Sequence, residues 1–201
     1  MRNEWGTSTI SHFSLLLTHS SLSMLSRSNT LILVLAVAAA GVGGWLQHAS
    51  RQAHVPDGVQ VAAVGDMRPD LTLMDVEGKP RRLSEFHARR VLLNFWATWC
   101  VPCLKELPAL AEAQAKFGEK ELIVVGIAMD DPVRIRPFLA AHPVPYPILV
   151  GQMDSPSTSL QFGNEAQVLP FSVLLDTDGH ILEARRGELP METLDAWMKR
   201  P

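Results

Sequence analysis

The stretch Val91-Leu92-Leu93-Asn94-Phe95-Trp96-Ala97-Thr98-Trp99-Cys100-Val101-Pro102-Cys103-Leu104-Lys105-Glu106-Leu107-Pro108 changes its hydrophobic period partway along, and that change decides the fold. Val91 to Trp96 is a nearly continuous apolar run, the pattern of a strand buried on both faces of a helix-covered sheet. From Val101 to Phe117 the residues Leu104, Leu107, Ala111 and Ala115 recur at three- and four-residue steps, with Leu110 alongside. That spacing predicts an amphipathic helix ending near Gly118. Both cysteines of the protein fall at the junction, three residues apart.

Residues i and i+3 share a helix face, so Cys100 and Cys103 are expected within the roughly 4.4–6.8 Å Cα window that a disulfide needs. Dithiol and disulfide then interconvert with little backbone movement. At the helix N-terminus the positive end of the dipole stabilises a thiolate, which makes Cys100 the attacking sulfur and Cys103, one turn deeper, the resolving thiol. Pro102 suits a first helical turn that does not need its N–H, and Val101 and Pro102 between the sulfurs tune the balance of thiolate and disulfide. A purely stabilising disulfide is the alternative, but so short a loop constrains the unfolded chain very little. A two-thiolate copper site would want a third ligand such as His, and none is near in sequence.

Working outward, Asp70 to Asp75 reads as a strand running into a turn at Glu77-Gly78-Lys79. Leu122 to Ala128 is a second buried strand, Asp131-Pro132 opens a helix with a cap and a first-turn proline, and Pro147 to Val150 returns as a short strand. Strand, helix, strand in this order is βαβ logic. Phe171 to Leu175, the turn Asp176-Thr177-Asp178-Gly179 and Ile181 to Ala184 predict a hairpin, and Met191 to Lys199 a closing helix.

Upstream, Ser28 to Ser50 is twenty-three residues without a formal charge if His48 is neutral, and Leu31 to Leu46 is apolar or Gly throughout. Segment 28–50 is therefore read as a transmembrane or signal-anchor helix, uncleaved, with Trp45 at the far interface and Arg27 on the near side. A cleaved signal, permitted by the small residues Ala38 to Ala40, is the alternative. Residues 1–27 form a Ser- and Thr-rich tail within which Met24 offers a second start, 51–67 a polar linker, and 68–201 the globular domain. The chain carries 18 Lys and Arg against 21 Asp and Glu, net charge −3, with no run of five like charges, so nucleic acid is excluded as a partner. Two cysteines and seven scattered histidines supply no closed zinc set.

The segment Asn94 to Pro108 resembles the active-site segment of the thioredoxin superfamily, specifically the membrane-anchored thiol:disulfide reductases of the TlpA, ResA and CcmG type. The resemblance covers roughly residues 61 to 201. It implies an α/β thioredoxin fold, a central mixed β-sheet flanked by helices with an N-terminal β extension. It implies an enzyme that exchanges thiols and disulfides on proteins outside the cytoplasm, in the periplasm for an inner-membrane anchor or for a cleaved signal. Reduction of apocytochrome c for haem attachment and electron supply from a transmembrane donor of the DsbD or CcdA type are implied with it. No cofactor beyond the redox-active Cys100–Cys103 disulfide, and no metal, is expected.

Glu106 stands where this family has an active-site acid, and independently it lies one turn after Cys103, within reach of that thiol's proton. The alternative is an ordinary solvated helix carboxylate. Thioredoxin itself has a buried acid where this chain has Asn94, which leaves Glu106 as the nearest candidate. Leu169-Pro170-Phe171 resembles the cis-proline loop of the superfamily, whose preceding residue offers its backbone to an extended substrate. Trp99, Val101 and Pro102 with Leu169 and Pro170 make up the expected substrate-binding surface, whereas Trp96 is assigned to the core. A thiol peroxidase would want Thr or Ser where Ala97 stands, and a Sco-type copper assembly protein would want CxxxC in place of CxxC.

Overall fold

The computed structural model describes Arg27–Ser50, Val55 and residues 58–199. The chain divides into two units, Met1–Arg51 and Gln52–Pro201. In the first, helix α1 (Arg27–Ser50) contains a 19-residue apolar stretch, Asn29–Gln47, whose side chains are exposed. At 1.5 Å per residue that stretch is about 28 Å long, close to the hydrocarbon thickness of a bilayer, so α1 is a candidate membrane anchor. The tail before Arg27 and the second start at Met24 lie outside the described residues.

The second unit is built on one seven-stranded mixed sheet: β1 (Thr72–Asp75), β2 (Pro80–Arg82), β3 (Arg90–Trp96), β4 (Leu122–Ala128), β5 (Ile148–Val150), β6 (Phe171–Leu175) and β7 (Ile181–Arg186), in the order β2-β1-β5-β4-β3-β6-β7. β3, β4 and β5 run parallel, and the flanking pairs are antiparallel. The β1–β2 hairpin is the expected N-terminal β extension, added to the β5 edge. β3 is central and buried along its whole apolar run, which explains why its sequence does not alternate. One face carries Leu92, Trp96, Val124 and Ile148 against Leu107 and Leu110 of α2 (Val101–Glu121), Ile135 of α3 (Pro132–Ala141), and Leu194 and Trp197 of α5 (Met191–Met198). The other carries Leu93, Phe95, Ile127, Leu149 and Val173 with Leu73, Phe86 and Phe162.

Local chemistry fixes the ends of these elements. Gly118, at φ 67 and ψ 168, breaks α2 where the periodicity placed its end, with one further turn before β4. Pro108 sits inside α2 and withholds the N–H that the Leu104 carbonyl would accept, yet the residues on both sides stay helical. Asp131 caps α3 by accepting from the Val133 N–H at 2.8 Å. In the β6–β7 turn the Asp176 carboxylate accepts from the N–H groups of Asp178, Gly179 and His180.

Two elements differ from the sequence reading. β2 consists of Pro80, Arg81 and Arg82 and has no apolar signal, because it is an edge strand held by β1 alone, where proline is tolerated. Between Val150 and Phe171, where the sequence reading places no element, α4 (Thr158–Gln161) forms, capped by the Ser157 hydroxyl accepting from the Leu160 N–H. The end of the stretch read as linker is hydrogen-bonded to the domain: Ala62 N–H donates to the Gln161 carbonyl, Gly65 N–H to Ile181, and Met67 bridges His180.

Candidate active site

β3 delivers the chain to the active-site turn. Parallel pairing with β4 runs through Trp96 to Ala128, so both strands end together, and four residues separate the end of β3 from the start of α2. Cys100 is the N-cap of α2, and its Sγ accepts from the Cys103 N–H at 3.4 Å. The two cysteines form a disulfide with a Cα separation of 5.3 Å, inside the range the helical spacing predicts. Cys103 is 1% exposed and Cys100 5%, while Trp99 and Val101 are each 63% exposed and Pro102 is exposed beside them. Trp96 is fully buried, as assigned.

Glu106 is a buried carboxylate, 4% exposed, and so not a solvated helix residue. One oxygen accepts from the Leu189 N–H at 2.7 Å, the other from the Asn94 Nδ2 at 3.2 Å. Asn94 donates in turn to the Ser172 Oγ on β6 at 3.1 Å. Burial pushes the Glu106 carboxyl up to about 7, against the two hydrogen bonds, with Glu188 adding to the rise and Arg185 opposing it. Tyr146, buried on the same side of the sheet, is pushed up by burial and then by the Glu106 charge. A side chain at Gly126 would reach within 2.5 Å of Ile148 Cδ1 and 3.1 Å of Trp96 Nε1, so glycine there lets these side chains approach the sheet.

A second acid escaped the sequence reading. Asp130, 1% exposed at the end of β4, accepts through Oδ2 from both the N–H and the hydroxyl of Thr98. Its Oδ1 accepts from the Asp131 N–H at 2.8 Å and from Arg134 Nε at 2.7 Å. Burial alone would raise this carboxyl, but the Thr98, Asp131 and Arg134 donors hold it below the usual carboxylate range. Asp130 thereby fastens the turn that carries Trp99 and Cys100 to the strand beside it. The available signal is the Asp130-Asp131 doublet at a strand end, of which only one member is needed as a helix cap. Asp130→Ala leaves four donors without their acceptor. It should lower unfolding free energy by about 3 kcal/mol in urea titration, against under about 1 kcal/mol if water substitutes.

The Leu169–Pro170 peptide is cis, as is Ser155–Pro156. The antiparallel β3–β6 register ends at Phe95↔Phe171, immediately after Pro170, and Leu169 packs against the hydrophobic cluster that holds Trp96, Ala97 and both cysteines. Pro170 is buried and its carbonyl accepts from the Gly187 N–H, whereas Leu169 is half-buried. Among the described residues, the N–H and C=O of Leu169 enter no hydrogen bond.

Sheet order, disulfide and helix placement define a thioredoxin-like thiol–disulfide oxidoreductase. Residues 64–184 match the AhpC/TSA family model, and the chain belongs to that family. It is 30% identical over 138 residues to the thiol-disulfide oxidoreductase ResA of Bacillus thuringiensis subsp. konkukian, covering 68% of this chain and 78% of that one. To the ResA of Geobacillus kaustophilus it is 28% identical over 134 residues, 66% of this chain and 75% of that one. Among solved structures it is similar to a putative thiol:disulfide interchange protein DsbE from Chlorobium tepidum, with a TM-score of 0.60, 28% identity, and coverage of 68% and 96%. The resemblance carried by residues 94–108 is thereby borne out, and with it enzymatic thiol–disulfide chemistry at the Cys100–Cys103 pair.

Proposed function

We propose that the protein reduces disulfides of substrate proteins on the extracytoplasmic side of a membrane. In this reading α1 is the anchor, a transmembrane dithiol donor of the DsbD or CcdA type supplies electrons, and apocytochrome c is among the substrates. The observation that carries the reading is the arrangement around the cysteines: a disulfide at the first turn of α2, a more accessible Cys100, and a buried acid one turn behind Cys103. In the reduced enzyme the Cys100 thiolate attacks a substrate sulfur, the substrate S–S bond breaks, and one substrate thiolate leaves. Cys103 then gives its proton to Glu106 and attacks the Cys100 sulfur, and the second substrate thiolate departs. Two electrons have passed to the substrate, and the enzyme holds the Cys100–Cys103 disulfide until the dithiol donor reduces it. The free backbone groups of Leu169 support docking of an extended segment of substrate by strand-like pairing, with Trp99, Val101 and Pro102 as the apolar rim.

The test is the reduction potential of the whole chain in detergent micelles, equilibrated against dithiothreitol or glutathione couples and followed by thiol alkylation. A potential below about −230 mV, beneath the glutaredoxin range, is expected for a reductase fed by a transmembrane donor. A potential near about −120 mV, the range of strong periplasmic oxidants, would reverse the direction and make the protein a disulfide donor.

A further inference from the structure

Asn164 is a fully buried side chain in the loop before the cis-proline, with no part in the redox chemistry. Its Oδ1 accepts from the Val168 N–H at 3.3 Å, while its Nδ2 donates to the Val168 carbonyl at 2.9 Å. One carboxamide thus takes both backbone groups of one residue, as a neighbouring strand would. The residue is itself held: its backbone N–H donates to the Ser159 carbonyl at 3.0 Å and Nδ2 lies 3.4 Å from the Ser159 hydroxyl. Gln167, at φ 49, turns the chain back so that Val168 meets the amide.

We propose that Asn164 is a positioning residue for substrate, acting as a surrogate strand that fixes Val168 so that the N–H and C=O of Leu169 face outward toward the docked polypeptide. This rests on the reading that Leu169 offers its backbone to substrate. Both Val168 backbone groups are engaged on the Asn164 side, whereas those of Leu169, at the bend that leads into Pro170, take no partner among the described residues. Without the amide, Val168 is free to rotate, and an incoming strand must order this edge before it can pair. Asn164 touches neither sulfur, so its effect falls on substrates with a peptide backbone and spares those without one.

The experiment uses the whole reduced chain in detergent micelles with three oxidants: a disulfide-bonded extended peptide, the same peptide N-methylated at the amide that meets the Leu169 carbonyl, and 2-hydroxyethyl disulfide. Asn164→Ala and the near-isosteric Asn164→Asp should raise KM for the peptide about tenfold with kcat little changed. Their rates with 2-hydroxyethyl disulfide should stay within about twofold of the parent, and the N-methyl penalty should shrink. Equal losses on the peptide and on 2-hydroxyethyl disulfide, or no loss on either, overturn the clamp. A parent enzyme indifferent to N-methylation overturns docking at Leu169, and the proposal with it. Amide hydrogen exchange on the parent protein needs no variant: Val168 should exchange slowly and Leu169 fast, and the reverse order refutes the assignment.

Discussion

Cys100→Ser is expected to abolish thiol–disulfide exchange, lowering kcat/KM by at least about 10³-fold, whereas Cys103→Ser is expected to stop the enzyme one step later as a stable mixed disulfide with its substrate. The two outcomes differ because the sulfurs are differently placed. Cys100 caps α2 at the surface turn, flanked by the exposed Trp99 and Val101, and its sulfur already accepts a backbone N–H from Cys103. Both features favour the thiolate and admit a partner. Cys103 is 1% exposed and lies one turn inside, so it reaches a sulfur attached to Cys100 but not a substrate in solution. Incubating each variant with an oxidised protein substrate and separating the products without reductant reads the result directly. A covalent complex is expected with Cys103→Ser alone, and its appearance with Cys100→Ser would exchange the two roles.

How far this site was legible from sequence depended on whether a residue's role is local. The Cys100–Cys103 spacing, the proline of the first turn and the Asp131 cap are decided within one helical turn, and all three stand as read. The strands β3, β4 and β6 announce themselves because burial on both faces leaves no polar alternation. What escaped depends on contacts across the chain. Asn94 meets Glu106 and Ser172, residues 12 and 78 positions away, and Asp130 reaches back 32 positions to Thr98. β2 escaped for a related reason, since its pairing with β1 supplies what Pro80-Arg81-Arg82 lacks in propensity. Glu106 is the intermediate case: its spacing from Cys103 is visible, but its burial against the Leu189 N–H comes from a segment 83 residues downstream.

That burial yields the second large effect. Glu106 titrates near 4.5 in an unfolded chain and near 7 in the fold. Between those values the folded protein keeps a proton that the unfolded chain releases, so the contribution of this group to stability is highest below about 4.5, falls as pH rises, and levels off above about 7. The displacement corresponds to a loss on the order of 3 kcal/mol. Glu106→Gln removes the titration while keeping the shape. The introduced carboxamide accepts from the Leu189 N–H through its oxygen and turns its NH2 toward Asn94. Asn94 satisfies both neighbours by turning its own amide, so that Oδ1 accepts from that NH2 and from the Ser172 hydroxyl. The variant should therefore match the parent at about pH 4.5 and exceed it by about 2–3 kcal/mol at about pH 8, measured by urea unfolding at both values. A difference independent of pH would mean that the carboxyl is not raised. Under the proposed mechanism the same substitution removes the base of the resolving step: release of substrate from the mixed disulfide should slow by about 10²-fold, and the rise of that rate with pH around 7 should vanish. Greater stability above neutrality with slower resolution is the signature of a carboxylate buried for its chemistry; loss of both would assign Glu106 a structural role alone.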